Sequence, residues 1–393
     1  MRVLIAHNYY QQPGGEDNVY AAEAALLEQR GHTVIRYSTH NDRVSGMSQS
    51  QLAMKTIWNR ESYSEFRDII RRESPDVCHF HNWFPLISPA AFHAAKAEGK
   101  PVVMTLHNFR LLCPGFTLLR ENQICEDCVS KRLKWPAIVH KCYRQNRGAS
   151  AVTALSLFSH SLLGTWHRTV DRYIALTEAG RRKFLEGGLP AAKVAVKANF
   201  LMTDPGYSEK RGDHVLFAGR LSEEKGIRTL LDAWRLLQAP IRLRIAGDGP
   251  MADVVRQAAE ADSRIEWLGR LTAQQVSEEM RRAHVLVMPS VWYEGLPLTL
   301  IEAFATGLPV LASKLGSLAE LVHHGETGYH FAPGDPTDLA NSLLRCQNDS
   351  ERLREMGRNA RRVFEERYTA ESNYQQLMKI YEGVGVKAEA LAA

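Results

Sequence analysis

The sequence lacks any apolar run near the ~20 residues a bilayer-spanning helix needs, so no membrane span is expected. Residues 1–6 are too short for a signal peptide and read as a first strand. Together these absences predict a cytoplasmic chain with its six cysteines reduced. No Asp-x-Asp occurs, which removes the usual carboxylate pair for a metal-bound diphosphate. G-x-S-x-G, a P-loop lysine, His-Glu-x-x-His and G-x-G-x-x-G are missing too, and with them the common serine-hydrolase, P-loop, zinc-protease and dinucleotide patterns. Strong charge is also lacking: the net charge of +5 gives no reason to expect a nucleic-acid partner.

What is present is a globular composition, 45% hydrophobic and 24% charged over 393 residues, long enough for two domains. Short apolar strands alternate with amphipathic stretches, the pattern of parallel sheets built from βαβ units. The first half predicts strands over 3–7, 33–37, 77–81, 102–107, 173–176 and 194–198, with a helix over 16–30 closed by Gly31. Residues 204–212 are polar, contain Pro205 and Gly206, and read as a linker. A second series follows over 215–218, 242–246, 265–268, 285–288 and 310–312, then helices over 337–346, 350–367 and 370–381. Two Rossmann-like domains facing one another across a cleft is the expected architecture. The first spans 1–203 and is completed by a helix over 370–393; the second spans 204–369.

Residues 108–150 break this rhythm. They carry Cys113, Cys125, Cys128 and Cys142, and the central Cys-x-x-Cys has the separation of two thiolates on one zinc ion. The alternative is four free thiols. From Arg110 to Arg147 there are eight basic residues against three acidic, interleaved with Trp135, Ile138, Val139 and Tyr143. Such a mixture suits the anionic inner face of a membrane, or is a solvated insertion with ordinary bias.

Four motifs sit at strand ends, where open parallel sheets bind ligands. The first strand opens into Gly14-Gly15-Glu16 before a helix, allowing close backbone approach to a phosphate. The strand over 215–218 opens into Gly219-Arg220, with Lys225 five residues on, and two cations so placed clamp a diphosphate. The strand at 265–268 ends in Leu268-Gly269-Arg270, whose backbone can read a nucleobase edge. The strand at 285–288 leads to Glu294-Gly295-Leu296-Pro297, then a short helix carrying Glu302. His107 ends the strand over 102–107 and is the candidate to hydrogen-bond a substrate or exchange a proton near neutral pH. His79, His81 and Asn82 are candidates for the same wall.

Taken together, Gly219-Arg220-Leu-x3-Lys225-Gly226, Gly247-Asp-Gly-Pro250 and Glu294-x7-Glu302 resemble the retaining glycosyltransferases of family 4, as does Gly325-Glu-Thr-Gly-Tyr329. The resemblance implies the GT-B fold and a hexose transferred from a UDP- or GDP-sugar to a glycan or lipid-linked acceptor in cell-surface polysaccharide assembly. It places Arg220 and Lys225 on the diphosphate, Glu302 on the ribose and Glu294 on the donor sugar. Gly295 and Leu296 would offer backbone amides, Gly14 and Gly15 would close on the diphosphate, and His107 would adjoin the reacting sugar. No cofactor and no catalytic metal is implied. The competing readings are a nucleotide-sugar epimerase of the same fold, a glycoside hydrolase using Glu294 and Glu302, and a non-catalytic binding module.

Overall fold

The computed structural model describes residues 1–12 and 14–386. The chain forms two compact units. One comprises Met1–Leu118, Cys125–Met202 and the C-terminal segment from Ala370; the other comprises Thr203–Thr369 with Leu119–Ile124.

The first unit is a six-stranded sheet of β1 (Arg2–Tyr9), β2 (Thr33–His40), β3 (Val77–Asn82), β4 (Val102–Leu106), β5 (Arg172–Ala175) and β6 (Val194–Val196). The spatial order is β2-β1-β3-β4-β5-β6, with every pairing parallel. β3 and β4 are buried along their whole length, as strands covered by helices on both faces must be. The helix Gly15–Gln29 turns Val19, Leu26 and Leu27 inward, and Asp17 caps its start by accepting the Gly14 N–H at 2.7 Å. The last helix, Ala370–Glu382, gives Leu377, Met378, Ile380 and Tyr381 to the core holding Val3, Val77, Val103 and Ile174. Burying each such side chain contributes roughly 1.5–3 kcal/mol.

The main sheet of the second unit is also all-parallel. Its strands β7 (His214–Ala218), β8 (Arg242–Ala246), β9 (Ile265–Gly269), β10 (Val285–Met288), β11 (Val310–Ser313) and β12 (Gly328–Phe331) lie in the order β9-β8-β7-β10-β11-β12. The final strand was not legible as one: Gly-Tyr-His-Phe is an edge strand with a half-exposed middle. A Cβ on Gly328 would lie 1.9 Å from Val310 O, so the neighbouring strand demands glycine there.

Several sequence expectations are corrected. Residues 204–212 are no free spacer: Asp204 pairs with Arg361, and Arg211 donates to the carbonyls of Met280 and Thr306, fastening the segment along the second unit. The irregular insertion ends sooner than expected, because a helix over Arg147–Leu162 begins where Asn146 caps it through the Ala149 N–H. Within the insertion, Leu112, Leu118, Val129 and Ala137 are buried. Two of its eight basic residues are interior. Arg110 lies 3.9 Å from the Phe84 ring centre, and Lys134 Nζ donates to the carbonyls of Cys128 and Val129.

Candidate functional site

In the second unit the strand order reverses between β7 and β10, and ligands bind where loops leave such a switch point in opposite directions. β7 leaves through Gly219-Arg220. A Cβ on Gly247 would lie 1.9 Å from Gly219 O, so these two backbones touch. A turn over Glu223–Lys225 then reaches Gly226, whose φ is 74° and whose absent Cβ leaves room for Pro289 O at 1.8 Å. That contact presses the first loop against the start of the second, and Val291 N–H completes the join by donating to Glu224 O at 3.0 Å.

The join brings together charges 69 positions apart. Lys225 Nζ donates to Glu294 Oε1 at 2.7 Å, and Ser290 Oγ donates to the same oxygen at 2.6 Å. Glu294 is 4% exposed, and its carbonyl accepts from Ser317 Oγ at 2.8 Å. A buried carboxylate needs such partners to remain tolerable. Arg220 is exposed and makes no ion pair among the described residues. The helix Leu298–Ala305 starts at Pro297 with no side-chain cap and no acidic first turn, so its first N–H groups have no capping side chain. On it, Glu302 is half-buried without a side-chain hydrogen bond among the described residues, and burial raises its pKa. Leu268 is half-buried at the end of β9; Gly295 is half-buried and Leu296 buried beside Glu294.

In the first unit the switch lies between β1 and β3. His107 directly follows β4, with its Nε2 2.9 Å from His81 Nδ1. Proton exchange near neutral pH, expected from sequence, does not hold: burial, reinforced by neighbouring His81 and His7, keeps His107 well below the usual histidine range. Behind the pair stands Glu23, 3.2 Å from His81 Nε2 and 2.7 Å from Lys197 Nζ. His79 also faces Glu23, at 3.1 Å. Glu23, His79 and His81 converge closely enough to grip a cation, and the Lys197 ammonium pairs with the other carboxylate oxygen of Glu23. Gly14 has ordinary extended backbone and its N–H is taken by Asp17, while Gly15 faces open space. Glu16 next to them accepts from Asn108 Nδ2 at 3.2 Å, and burial lifts its pKa to about 7.

Residues 13–204 match the sequence model described as Glycosyltransferase Family 4, and residues 212–349 match that of Glycosyl transferases group 1. The chain belongs to glycosyltransferase family 4. A phosphatidyl-myo-inositol mannosyltransferase of Mycobacterium leprae is 32% identical over 58% of this chain and 63% of its own length. A lipopolysaccharide 1,2-N-acetylglucosaminetransferase of Salmonella typhimurium is 29% identical over 54% of this chain and 62% of its own. The matches thus span less than two thirds of these relatives. Among solved structures, Anabaena HepE in complex with UDP-glucose superposes with a TM-score of 0.69 at 18% identity, covering 97% of this chain and 100% of that one. The shared fold is GT-B.

The insertion of this family 4 chain carries four thiols. Cys113 and Cys128 are buried, Cys125 and Cys142 half-buried, and no disulfide joins them. Burial raises the Cys113 thiol and takes that of Cys128 to about 11; Cys125 beside the first, and Cys113 and Cys142 beside the second, push the same way. Seven non-glycine residues of the insertion have positive φ: Phe116, Leu118, Glu121, Asn122, Lys141, Arg144 and Gln145. Of the expected apolar tips, Trp135 and Val139 are exposed, whereas Tyr143 packs edge-on against Phe84. Sequence reading missed Glu16, Glu23 and Lys197. The first two look like ordinary polar positions of an amphipathic helix, and only the fold turns them inward.

Proposed function

We propose that this chain transfers a hexose from a UDP- or GDP-sugar to a hydroxyl of a glycan or lipid-linked acceptor, with retention of configuration, in cell-surface polysaccharide assembly. The observation that carries the reading is the Lys225–Glu294 pair at the switch point of the second unit. A carboxylate fixed by an ammonium suits sugar hydroxyls on one side and a diphosphate on the other. Lys225 and the exposed Arg220 take the negative charge that grows on the leaving phosphate, helped by the helix start at Leu298. Gly219, Gly295 and Leu296 bring backbone to phosphate and sugar, Leu268 borders the base, and Glu302 holds the ribose. The bond from sugar C1 to phosphate oxygen breaks, the acceptor oxygen bonds to C1 on the same face, and the acceptor's proton passes to the departing nucleoside diphosphate. No metal is needed for that balance. The relatives' names, which include a mannosyltransferase acting on phosphatidylinositol, and the UDP-glucose complex of HepE support a nucleotide-sugar donor and a hydroxyl acceptor.

The same proposal places the protein in the cytoplasm, peripheral to the inner membrane face. No described helix is long and apolar enough to cross a membrane. Exposed Leu133, Trp135 and Val139, beside exposed Arg132, Lys141 and Arg144, suit an anionic lipid surface. Cys113, Cys125, Cys128 and Cys142 are the residues that would hold a structural zinc, on the strength of the Cys-x-x-Cys spacing.

The test is a thermal-shift screen against UDP, GDP, ADP and their sugars, followed by transfer assays on the donor that binds. Lys225→Ala and Glu294→Ala are expected to cut transfer by about 100-fold or more with melting still cooperative. Near-normal transfer in both would sink the proposal. Sugar release without nucleotide would point to a hydrolase, turnover without acceptor to an epimerase, and binding without turnover to a binding module.

A further inference from the structure

The first unit holds a cavity of about 500 Å³ lined by none of the candidate site residues, the size of a small-molecule pocket. Leu52, Ala53 and Thr56 of the helix Gln49–Ile57 form one wall. Val152 and Thr153 of the helix Arg147–Leu162 form another. At the inner end Thr56 and Thr153 meet Phe84, which follows β3, and all three are buried. Arg144, at the outer end, is exposed. Every lining residue belongs to the first unit, so the cavity is complete within it.

The walls are apolar in effect even where the sequence is polar. Thr56 Oγ1 donates to Leu52 O at 2.7 Å, and Thr153 Oγ1 donates to Ala149 O at 2.9 Å. Each hydroxyl is thus engaged by its own helix, and the methyl group is what each threonine has left for the cavity. Arg144 is the one charged side chain among the described residues of the lining. An apolar chamber offers water too few hydrogen-bond partners, but with one cation at its outer end it complements a hydrocarbon chain that ends in an anion. The same two helices expose large apolar side chains outside the cavity, Met54 at 63% and Leu155 at 50%. The helix Arg147–Leu162 also packs on the insertion helix Trp135–Val139, whose two terminal residues are exposed.

We infer that this cavity holds the hydrocarbon tail of a lipid-linked acceptor, with the phosphate of that lipid against Arg144. The inference rests on the transferase reading and narrows it: the acceptor is an amphipath with phosphate between chain and glycan, not a free glycan. Affinity then comes from the chain, since each buried methylene strengthens binding about fourfold. The cation selects the head.

The experiment is calorimetric titration of the full-length protein with alkyl phosphates below their micelle concentrations. Affinity is expected to rise about fourfold per methylene from hexyl phosphate onward and to level off once the cavity is full. Inorganic phosphate should give no measurable heat. A rise without levelling means adsorption to the exposed apolar surface and overturns the inference, as does a failure of dodecyl phosphate to bind. Val152→Phe fills the cavity and should weaken dodecyl phosphate by about tenfold or more. Unchanged affinity in the folded variant overturns the inference too. Should Val152→Phe fail to fold, the chain-length series alone decides. Arg144→Gln should remove a preference of about three- to fivefold for dodecyl phosphate over dodecyl maltoside, and a retained preference overturns the assignment of the phosphate. Lastly, a glycan that accepts sugar is compared in free form and joined through phosphate to a dodecyl chain. The joined form should show KM lower by about tenfold or more with kcat little changed. Equal KM values overturn the acceptor-tail assignment and leave the transferase reading standing. If alkyl phosphates bind but no glycan accepts sugar, the transferase reading fails and the tail assignment falls with it, while the cavity stands as a hydrocarbon site.

Discussion

Glu16 shows how one side chain can report on a site. It sits in the first turn of the helix Gly15–Gln29, with Oε1 buried and without a hydrogen-bond partner among the described residues and Oε2 held by Asn108. An acid lifted from 4.5 to about 7 keeps a proton in the folded chain that the unfolded chain releases between those values. Stability therefore falls as pH rises across that window, and the penalty is fully present above about 7. Glu16→Gln keeps the shape without the charge. It is expected to raise Tm at pH 8 by about 2–5 °C and to change nothing at pH 4. An unchanged Tm at pH 8 in calorimetry would mean the carboxylate is solvated. His107, held neutral, should contribute no inflexion near pH 6.5 to kcat/KM.

At the scale of elements, two loops and one insertion carry the predictions. Gly226 has φ 74° and stands where a Cβ would meet Pro289 O at 1.8 Å. Gly226→Ala must push the first loop off the second and part Lys225 from Glu294. We expect a loss of roughly 1–3 kcal/mol from backbone strain, together with transfer reduced as far as in Lys225→Ala. Wild-type transfer in a destabilised protein would separate the loop contact from the chemistry. The insertion, with seven residues held at positive φ and few regular elements, has reason to be stapled. Elemental analysis of the purified chain is expected to give about one zinc per chain, released by a thiol-reactive mercurial, with Cys125→Ser losing metal and Tm together. Zinc-free protein of undiminished Tm would leave four plain thiols.

At the scale of the molecule, the exposed Leu133, Trp135 and Val139 predict association with lipid. Vesicles containing anionic lipid should sediment the protein, zwitterionic ones should not, and Trp135→Glu should weaken binding about fivefold or more. Equal sedimentation by both vesicle types would assign the patch another role. The two six-stranded sheets were legible because most of their strands are short apolar runs. The last strand, β12, short and half-polar, escaped that signal, as did the antiparallel pair Leu119–Arg120 and Gln123–Ile124 and the helices of mixed periodicity. Arg220, Lys225 and Glu294 in loops, and Glu302 on the helix that follows, could be singled out from sequence because a strand-end position is marked in one dimension.

Sequence alone determined the strand-helix alternation, the glycine turns and the family, since these depend on local periodicity and short spacing. Tertiary structure alone decided that Lys225 meets Glu294, that Lys197 neutralises Glu23, and that burial holds His107 below the usual histidine range. Those outcomes follow from desolvation and from contacts between residues 69 and 174 positions apart. Neither term is written in any local stretch of the chain, because burial belongs to the fold and not to the residue.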